Sequence, residues 1–526
     1  MSSSQPIAQI FCRLVMKRHP ACVGPGKGFI YSPQAEEHID QEPCPSIDFL
    51  LFPNQVIHVG RCMPDNDVTI HHPYVSRDHF MIYSIVYEGD GDAVQPLVYV
   101  RDCGSLWGTY VDDHSTRPRK LPSPLGYLLS QGEVIRLKPY WEFHVHLLGS
   151  NSSSSPADQL RLGEIDLFRD RYLVTERLLG SGGLAAVHLA VNLKLGKQVA
   201  CKIHHLDRFR QFQNSPSTIR RILEETNILA RLSHPNLLKF EAAFRSPDTL
   251  YTFTELATGG DLFSMRVRYP DGLPEMDAKI IVRQILSAVG YLHKQNIAHR
   301  DLKPENVFFA TGPSPMARVI VGDLGFAKVA ASGRMASHIG TKIEVYRGQS
   351  YGIEVDIWSI GMISLFLVAL DWNSLGLLES FDQSAVDEGL KCAFEVLYEE
   401  HKALSHSFRD FIRSCLVVEP PRRMTADSCK RHRWFRSSRS QLEAKIAKFK
   451  HQWNPPQLIF TPVEDLDLLE SASTRRQKYV VYSDQGMTPD DKEIIENSQT
   501  SHYFMDHALI QPKEATNLSL VSNALA

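Results

Sequence analysis

The chain has 526 residues, of which 43% are apolar and 22% charged, and its formal net charge is −3. This composition is that of a globular protein with several domains, and a charge so close to zero excludes bulk electrostatic attraction to nucleic acid or to an anionic membrane. The 9 cysteines show no CxxC spacing, so we expect a reducing compartment rather than a disulfide framework. The N-terminal residues lack the apolar core of a secretory signal, and the longest apolar run, residues 360–370, is too short to span a bilayer.

Short β-rich runs separated by turn signals fill residues 7–148, from QIFCRLVM near the start to WEFHVHLL at the end. Strands this short and this closely spaced predict an all-β sandwich or barrel. The Ser-rich tract GSNSSSSPAD follows, and we assign residues 149–168 to a linker because such a polar tract cannot bury a core.

Two motifs of this β-rich region, HVGRCMPDNDVTIHHPYVSRDHFMIY and DCGSLWGTYVDD, resemble a forkhead-associated (FHA) domain over residues 7–148. The resemblance implies that the domain binds phosphothreonine, with Arg61 and Arg77 supplying charge and Ser76 a hydroxyl donor. It also implies that His79 supports the loop, and that Gly60, Gly108 and Thr109 act as backbone scaffold. The family's Asn before GT is Trp107 here, which leaves open whether the clamp on the peptide backbone is kept.

Beyond the linker, strand-like runs come first and helical patterns follow, which predicts a two-lobe α+β architecture. The run HRDLKPEN offers a carboxylate to accept a substrate hydroxyl, an amide oxygen for Mg²⁺ and a cation for the transferred phosphate, the needs of phosphoryl transfer. The candidate residues are Asp301, Asn306 and Lys303 in this run, Asp323 as the main metal ligand, Gly180 and Gly182 for close backbone approach to phosphates, and Lys202 with its helical partner Glu225.

These motifs, in this order, resemble a eukaryotic protein kinase over residues 172–435. The resemblance implies ATP and Mg²⁺ as cofactors, with the metal on Asn306 and Asp323. It places further nucleotide contacts at Val187, Ala200, Glu255, Leu256 and Asp261, and Thr254 behind the adenine. Three departures are Ala185 for a loop glycine, Leu324 for the Phe of DFG, and the missing Ala-Pro of APE.

The last departure shortens the segment that normally holds the protein substrate. Only Lys342 and Ile343 separate Thr341 from Glu344, the residue expected to pair with Arg423. We therefore expect ATP binding but feeble peptide phosphorylation, unless the gene's exon boundary lies elsewhere. The resemblance implies an activation-loop phosphosite, predicted at Ser337 with Ser332 as the alternative.

An FHA domain followed by a calcium/calmodulin-kinase-like catalytic domain is the layout of the FHA-containing checkpoint kinases. The resemblance implies a nuclear serine/threonine kinase, with the cytoplasm as the alternative location, that is recruited to phosphothreonine proteins in DNA-damage or meiotic signalling. The chain has no Thr-Gln and a single N-terminal Ser-Gln, which favours the meiotic branch. We also expect phosphorylation-dependent self-association, and Arg-directed substrates if Asp261 and Glu305 face the substrate rather than cap local structure.

The competing hypothesis is a phosphopeptide-binding scaffold whose kinase fold is weak or inactive. The short segment after Thr341 favours the scaffold, whereas the intact catalytic set favours the enzyme. Residues 436–526 are expected to form a C-terminal extension, helical near residues 440–453 and disordered from about Thr461.

Overall fold

The computed structural model describes residues 12–18, 30–31, 36–38, 46–62, 64–87, 97–112, 118–148, 160–181, 185–209, 215–324, 328–329, 352–368, 382–399, 404–450, 453 and 464–465. Gly182, Ser332, Ser337 and the segment from Thr341 to Glu344 lie outside these ranges, as does the tail beyond residue 465. Within the described ranges, no helix is both long and apolar enough to cross a bilayer.

Two β-sheets form the N-terminal domain. Their strands are β1 (Cys12–Arg18), β2 (Ile30–Tyr31), β3 (Glu36–His38), β4 (Ser46–Leu51), β5 (Val56–Gly60), β6 (Val68–Ile70), β7 (Phe80–Ile85), β8 (Leu97–Asp102), β9 (Tyr110–Asp112), β10 (Arg119–Lys120), β11 (Gly126–Leu128), β12 (Val134–Leu137) and β13 (Trp141–Leu147). One sheet has the order β10-β9-β12-β13-β1-β4-β3 and the other β11-β8-β7-β5-β6-β2. Alternate side chains such as Leu14, Phe80 and Phe143 share one buried core, which confirms the predicted sandwich.

The end of the segment assigned to the linker is structured. Helix α1 (Leu162–Ile165) and a 3₁₀ turn to Phe168 pack on the next domain, where Phe168 is buried and stacks on Phe244 with ring centroids 4.6 Å apart. Glu164 accepts hydrogen bonds of 2.8 Å from two side chains of that domain. The apolar residues after the Ser-rich tract therefore belong to the second domain, because they gain a core to pack on.

A separate six-stranded sheet with two helices forms the first lobe of the second domain. Its elements are β14 (Tyr172–Ser181), β15 (Ala186–Asn192), β16 (Lys197–His205), α2 (Leu206–Phe209), α3 (Ser215–Arg231), β17 (Phe240–Arg245) and β18 (Thr249–Glu255), with β23 (Glu464–Asp465) parallel to β17 at the edge. The strand order is β14-β15-β16-β18-β17-β23. The register aligns Gly180, Val187 and Lys202 across three neighbouring strands, and Ala200 with Thr254. The sheet thus brings the predicted nucleotide residues side by side.

Helices dominate the second lobe. Its elements are α4 (Leu262–Val267), α5 (Glu275–Lys294), β19 (Ile297–Ala298), β20 (Val307–Phe309), β21 (Val319–Val321), β22 (Lys328–Val329), α6 (Val355–Val368), α7 (Gln383–Glu399), α8 (His406–Cys415), α9 (Ala426–Arg431), α10 (Arg433–Arg436) and α11 (Arg439–Lys450). Helix α6 is apolar on nearly every face and is buried at the centre of the lobe, as a helix without a polar face must be. The predicted order, an all-β sandwich and then a two-lobe α+β domain, is confirmed.

Candidate active site and phosphothreonine site

Lys202 lies between two carboxylates at the cleft between the lobes. Its Nζ is 2.9 Å from Glu225 Oε1 on helix α3 and 3.4 Å from Asp323 Oδ1 after strand β21. Burial alone would lower the pKa of Lys202, but Glu225 and then Asp323 outweigh it and raise the pKa above its ordinary value. The ammonium therefore stays charged, and it ties the helix to the loop that follows β21.

Asp323 has a left-handed backbone, with φ of 54°. Residues with a Cβ seldom adopt this conformation, although aspartate tolerates it better than most. The carboxylate is 42% exposed even though it reaches Lys202. A strained residue that points a half-exposed carboxylate into a cleft is a candidate for ligand binding.

The loop after β19 gathers the other candidate catalytic groups. Asn306 Nδ2 donates to the backbone oxygen of Asp301 at 2.7 Å and to its Oδ2 at 3.0 Å. Lys303 Nζ lies 3.1 Å from the same carboxylate oxygen. One carboxylate thus has an amide and an ammonium beside it, with its orientation set by the buried Asn306.

Asp356 on helix α6 binds the backbone of this loop. Its fully buried carboxylate accepts the backbone N–H groups of His299 and Arg300, both at 2.9 Å, and lies 2.8 Å from His293 Nε2. Burial would raise the pKa of Asp356, but the hydrogen bonds from His293 and Arg300 bring it below its ordinary value, so the group is ionised. His299 Nε2 lies 2.9 Å from Gly322 O, which connects this loop to the backbone beside Asp323.

The predicted adenine and ribose contacts have other partners as well. Glu255 accepts hydrogen bonds from the Lys239 N–H and from the guanidinium of Arg318, so its side chain joins the two lobes. Asp261 accepts from Ser264 N at 2.7 Å and caps helix α4. The hydrogen bond from Ser264 N supports the capping interpretation of Asp261, and the ribose contact stays a prediction.

His204 is a buried histidine two residues beyond Lys202 on β16, with 3% of its surface exposed. Burial, with a smaller contribution from the positive charge of Lys202, lowers its pKa from 6.5 to about 3. The folded state therefore binds fewer protons than the unfolded state between these values. This contribution to stability is intact above pH 6.5 and is lost as the pH falls towards about 3.

We expect His204→Leu to make unfolding less sensitive to acid. Between about pH 7.5 and about pH 5, the free energy of unfolding of the parent should fall by about 2 kcal/mol more than that of the variant. The reason is that the leucine has no proton to take up on unfolding. Urea titrations at the two pH values measure this, with the exposed His146→Leu as the matched control. Parallel stability profiles for His204→Leu and the parent would contradict it.

Arg61, Ser76 and Arg77 meet at one edge of the sandwich. The Arg61 N–H donates to the carbonyls of Ser76 at 2.8 Å and of Arg77 at 3.1 Å. A Cβ on Gly60 would lie 2.2 Å from Arg77 O, so this close approach requires glycine. Both arginine side chains are exposed, and together with the serine they form a cationic edge.

His79 and Leu106 order this edge. The buried His79 accepts the Ser76 N–H on Nδ1 at 3.1 Å, and its Nε2 lies 3.4 Å from Gly108 O. Burial lowers the pKa of His79, so it is a neutral support for the loop. The Leu106 N–H donates to Ser76 Oγ at 3.0 Å, which leaves the serine hydroxyl proton to point to a ligand.

Asp102 is a structural residue of this site that the motifs did not reveal. Its carboxylate accepts hydrogen bonds from Gly104, from Ser105 and from the backbone and hydroxyl of Thr109. Burial would raise the pKa of Asp102, but the hydrogen bonds from Ser105 and Thr109 lower it overall. An Asp at the start of a Gly- and Ser-containing turn is the sequence signal that could have identified it.

Trp107 stands where the family has Asn. It is 49% exposed and meets Tyr74 edge to face with ring centroids 5.0 Å apart. An indole cannot provide the two-way hydrogen bonding of an amide side chain. Contact with a bound peptide at this position would therefore be mainly apolar.

Comparison with known proteins matches both domains. The family model "Protein kinase domain" matches residues 173–435, and the "FHA domain" model matches residues 57–138. The chain is 31% identical over 399 residues to the meiosis-specific serine/threonine-protein kinase mek1 of Schizosaccharomyces pombe, covering 72% of this chain and 82% of that protein. It is 26% identical over 427 residues to MEK1 of Saccharomyces cerevisiae, also meiosis-specific (74% and 82%), and 34% over 268 residues to human calcium/calmodulin-dependent protein kinase type 1B (50% and 75%).

Proposed function

The chain belongs to the protein kinases that carry an FHA domain, and from that premise we propose that it phosphorylates serine or threonine on proteins to which phosphothreonine recruits it. The observation that carries the catalytic part is the contact of Lys202 with both Glu225 and Asp323. In protein kinases this lysine–glutamate pair and the aspartate have to be in place together before phosphate is transferred. The arrangement therefore favours an enzyme over a scaffold that has lost its chemistry.

Asp301 is the group placed to act on the substrate hydroxyl. As the hydroxyl oxygen bonds to the γ-phosphorus of ATP, the bond from that phosphorus to the bridging oxygen breaks and ADP leaves. Asp301 accepts the hydroxyl proton, while the Lys303 ammonium, 3.1 Å away, offsets negative charge at the transferred group. Lys202 would hold the α- and β-phosphates.

The residues of the site fit a magnesium ion. Mg²⁺ prefers oxygen ligands and in phosphoryl-transfer sites uses one or two protein side chains together with substrate phosphates. Asp323 offers a half-exposed carboxylate, and Asn306, whose amide nitrogen bonds Asp301, offers its amide oxygen. When bound, the metal neutralises charge on the phosphates.

Glu305 supports a preference for substrates that carry arginine. It lies in the 3₁₀ turn Pro304–Asn306, directly after Lys303. Its buried Oε2 has no hydrogen-bond partner among the described residues. A carboxylate oxygen that lacks a partner in a partly buried site is costly unless a donor arrives with the substrate. A guanidinium on the bound peptide would supply that donor.

The relatives that match both domains are meiosis-specific kinases, and we infer that this protein also acts in meiosis. A nuclear location and a checkpoint role are part of the proposal. Phosphothreonine on another copy of the chain would be one ligand for the FHA domain and would produce self-association.

We expect Arg61→Ala to weaken binding of a phosphothreonine peptide about 30-fold. The substitution removes a charged hydrogen-bond donor to phosphate, and such bonds contribute about 2 kcal/mol. Calorimetric titration of the full chain with matched phosphorylated and unphosphorylated peptides measures it. Arg422→Ala, an exposed arginine of the kinase domain, serves as control. Equal affinity of the parent for both peptides would remove the recruitment half of the proposal.

A further inference from the structure

The second sheet of the FHA domain is apolar on both faces. Along β7, Phe80 and Ile82 enter the sandwich core, whereas Tyr83 and Ile85 enter a separate cluster together with Tyr99 of β8. A sheet of this kind with one solvated face would carry polar side chains there. Tyr83, Ile85 and Tyr99 are instead at most 1% exposed, because the kinase domain covers this outer face.

The covering residues come from the nucleotide cleft. Leu179 and Leu189 of the first lobe and Leu256 of the connection between the lobes pack in the same cluster as Tyr83. Leu179 directly precedes Gly180, the first glycine of the predicted phosphate loop. The apolar contact therefore reaches both the roof of the cleft and the hinge, residues 255–261, that joins the lobes.

One residue of that hinge receives two hydrogen bonds from the FHA domain. Tyr83 Oη donates to Thr258 O at 2.9 Å, and the Gly126 N–H donates to Thr258 Oγ1 at 3.1 Å. Burial raises the pKa of Tyr83 to about 12, so its hydroxyl keeps its proton. A Cβ on Gly126 would lie 2.4 Å from Tyr83 Oη and 2.7 Å from Thr258 Oγ1, so only glycine fits.

The FHA domain also holds each lobe. Gln198 of the first lobe bonds both backbone groups of Leu128, at 2.8 and 3.1 Å. Arg268 of the second lobe donates to Asn54 O at 2.6 Å and also to Ser84 O. The FHA domain thus contacts the first lobe, the hinge and the second lobe together.

We propose that Tyr83 is a positioning residue of the nucleotide cleft, and that the FHA domain acts through it to hold the hinge in the geometry that binds ATP. This inference rests on the proposed kinase function. Kinase lobes close on nucleotide by rotating about a few hinge residues. A domain bonded to the hinge and to both lobes restricts that rotation, so the geometry of the cleft depends on a residue 175 positions away from Thr258 along the chain.

The matched pair Tyr83→Phe and Tyr99→Phe tests this in the full chain. The two rings are stacked, with centroids 5.5 Å apart and planes 15° apart, and both are fully buried. The Tyr99 hydroxyl has no hydrogen-bond partner among the described residues, whereas that of Tyr83 bonds the hinge. Each substitution removes one buried hydroxyl, and only one of them removes a hinge contact.

We expect Tyr83→Phe to raise the Kd for ADP with Mg²⁺, and the KM for ATP, about fivefold, with kcat within about twofold of the parent. Tyr99→Phe should leave all three unchanged. In the absence of nucleotide, hydrogen exchange at the Gly259 amide, which donates to Phe309 O at 2.9 Å, should be faster in Tyr83→Phe than in Tyr99→Phe. Thermal unfolding of both variants checks that each is folded.

Equal ADP affinity and equal Gly259 exchange in the two variants would overturn the inference and leave the kinase function intact. A parent chain that binds no ADP would remove the proposed nucleotide site, and the positioning role with it. A Tyr83→Phe chain that loses kcat while keeping its ADP affinity would also overturn it, since the hinge would then not govern nucleotide binding.

Discussion

Asp301→Asn should reduce kcat about 10³-fold, while the KM for ATP stays within about threefold of the parent. Asparagine has nearly the shape of aspartate, so the bond from Asn306 and the path of the loop should persist. The amide can neither take the proton of the substrate hydroxyl nor attract the Lys303 ammonium. The loss should therefore fall on the chemical step and not on nucleotide binding.

Steady-state transfer of phosphate from ATP to an arginine-containing serine peptide measures the effect, with Asp170→Asn as an exposed control. Because the segment around Thr341 predicts weak peptide turnover, autophosphorylation serves as a second readout. A variant that transfers phosphate at the parental rate would show that Asp301 is not the base.

Lys202→Arg is expected to lower kcat/KM about 10²-fold. The charge is retained, but the larger planar guanidinium cannot occupy the point that lies 2.9 Å from Glu225 and 3.4 Å from Asp323. One carboxylate would lose its partner, and the phosphate contact would be displaced. Unlike Asp301→Asn, this substitution should also weaken binding of ADP.

Lys194→Arg, on the exposed turn between β15 and β16, is the matched control because it makes the same chemical change away from the cleft. If Lys202→Arg and Lys194→Arg had the same kcat/KM, the contact with Glu225 and Asp323 would be a structural ion pair only. If both Asp301→Asn and Lys202→Arg matched a parent with no measurable transfer, the scaffold hypothesis would stand.

The two substitutions together separate chemistry from positioning. The Asp301 carboxylate contacts groups within five residues along the chain, Lys303 and Asn306, whereas the Lys202 ammonium contacts carboxylates 23 and 121 positions away. A change in the packing of helix α3 would therefore alter the role of Lys202 before that of Asp301.

The sequence alone determined the order of the domains and the candidate catalytic residues. A local run such as HRDLKPEN specifies its chemistry because carboxylate, amide and ammonium stand within six residues, so any fold that keeps the loop keeps them close. The sandwich was predictable for a similar reason, since strand alternation and turn residues act over a few positions. The outer apolar face of β7 was also readable, because FMIYSI places bulky residues on both sides of the strand.

Only the tertiary structure decided what that face touches and how the distant groups meet. Tyr83 and Thr258 are 175 residues apart along the chain, and Asp356 is 57 residues from His299, whose backbone N–H it accepts. Both contacts depend on how whole elements pack. Periodicity shows that a side chain is buried, but not what it is buried against, because many apolar surfaces would cover it equally well. The hydrogen bonds that select one partner depend on that packing, and so the contact of the FHA domain with the hinge could be read from the folded chain alone.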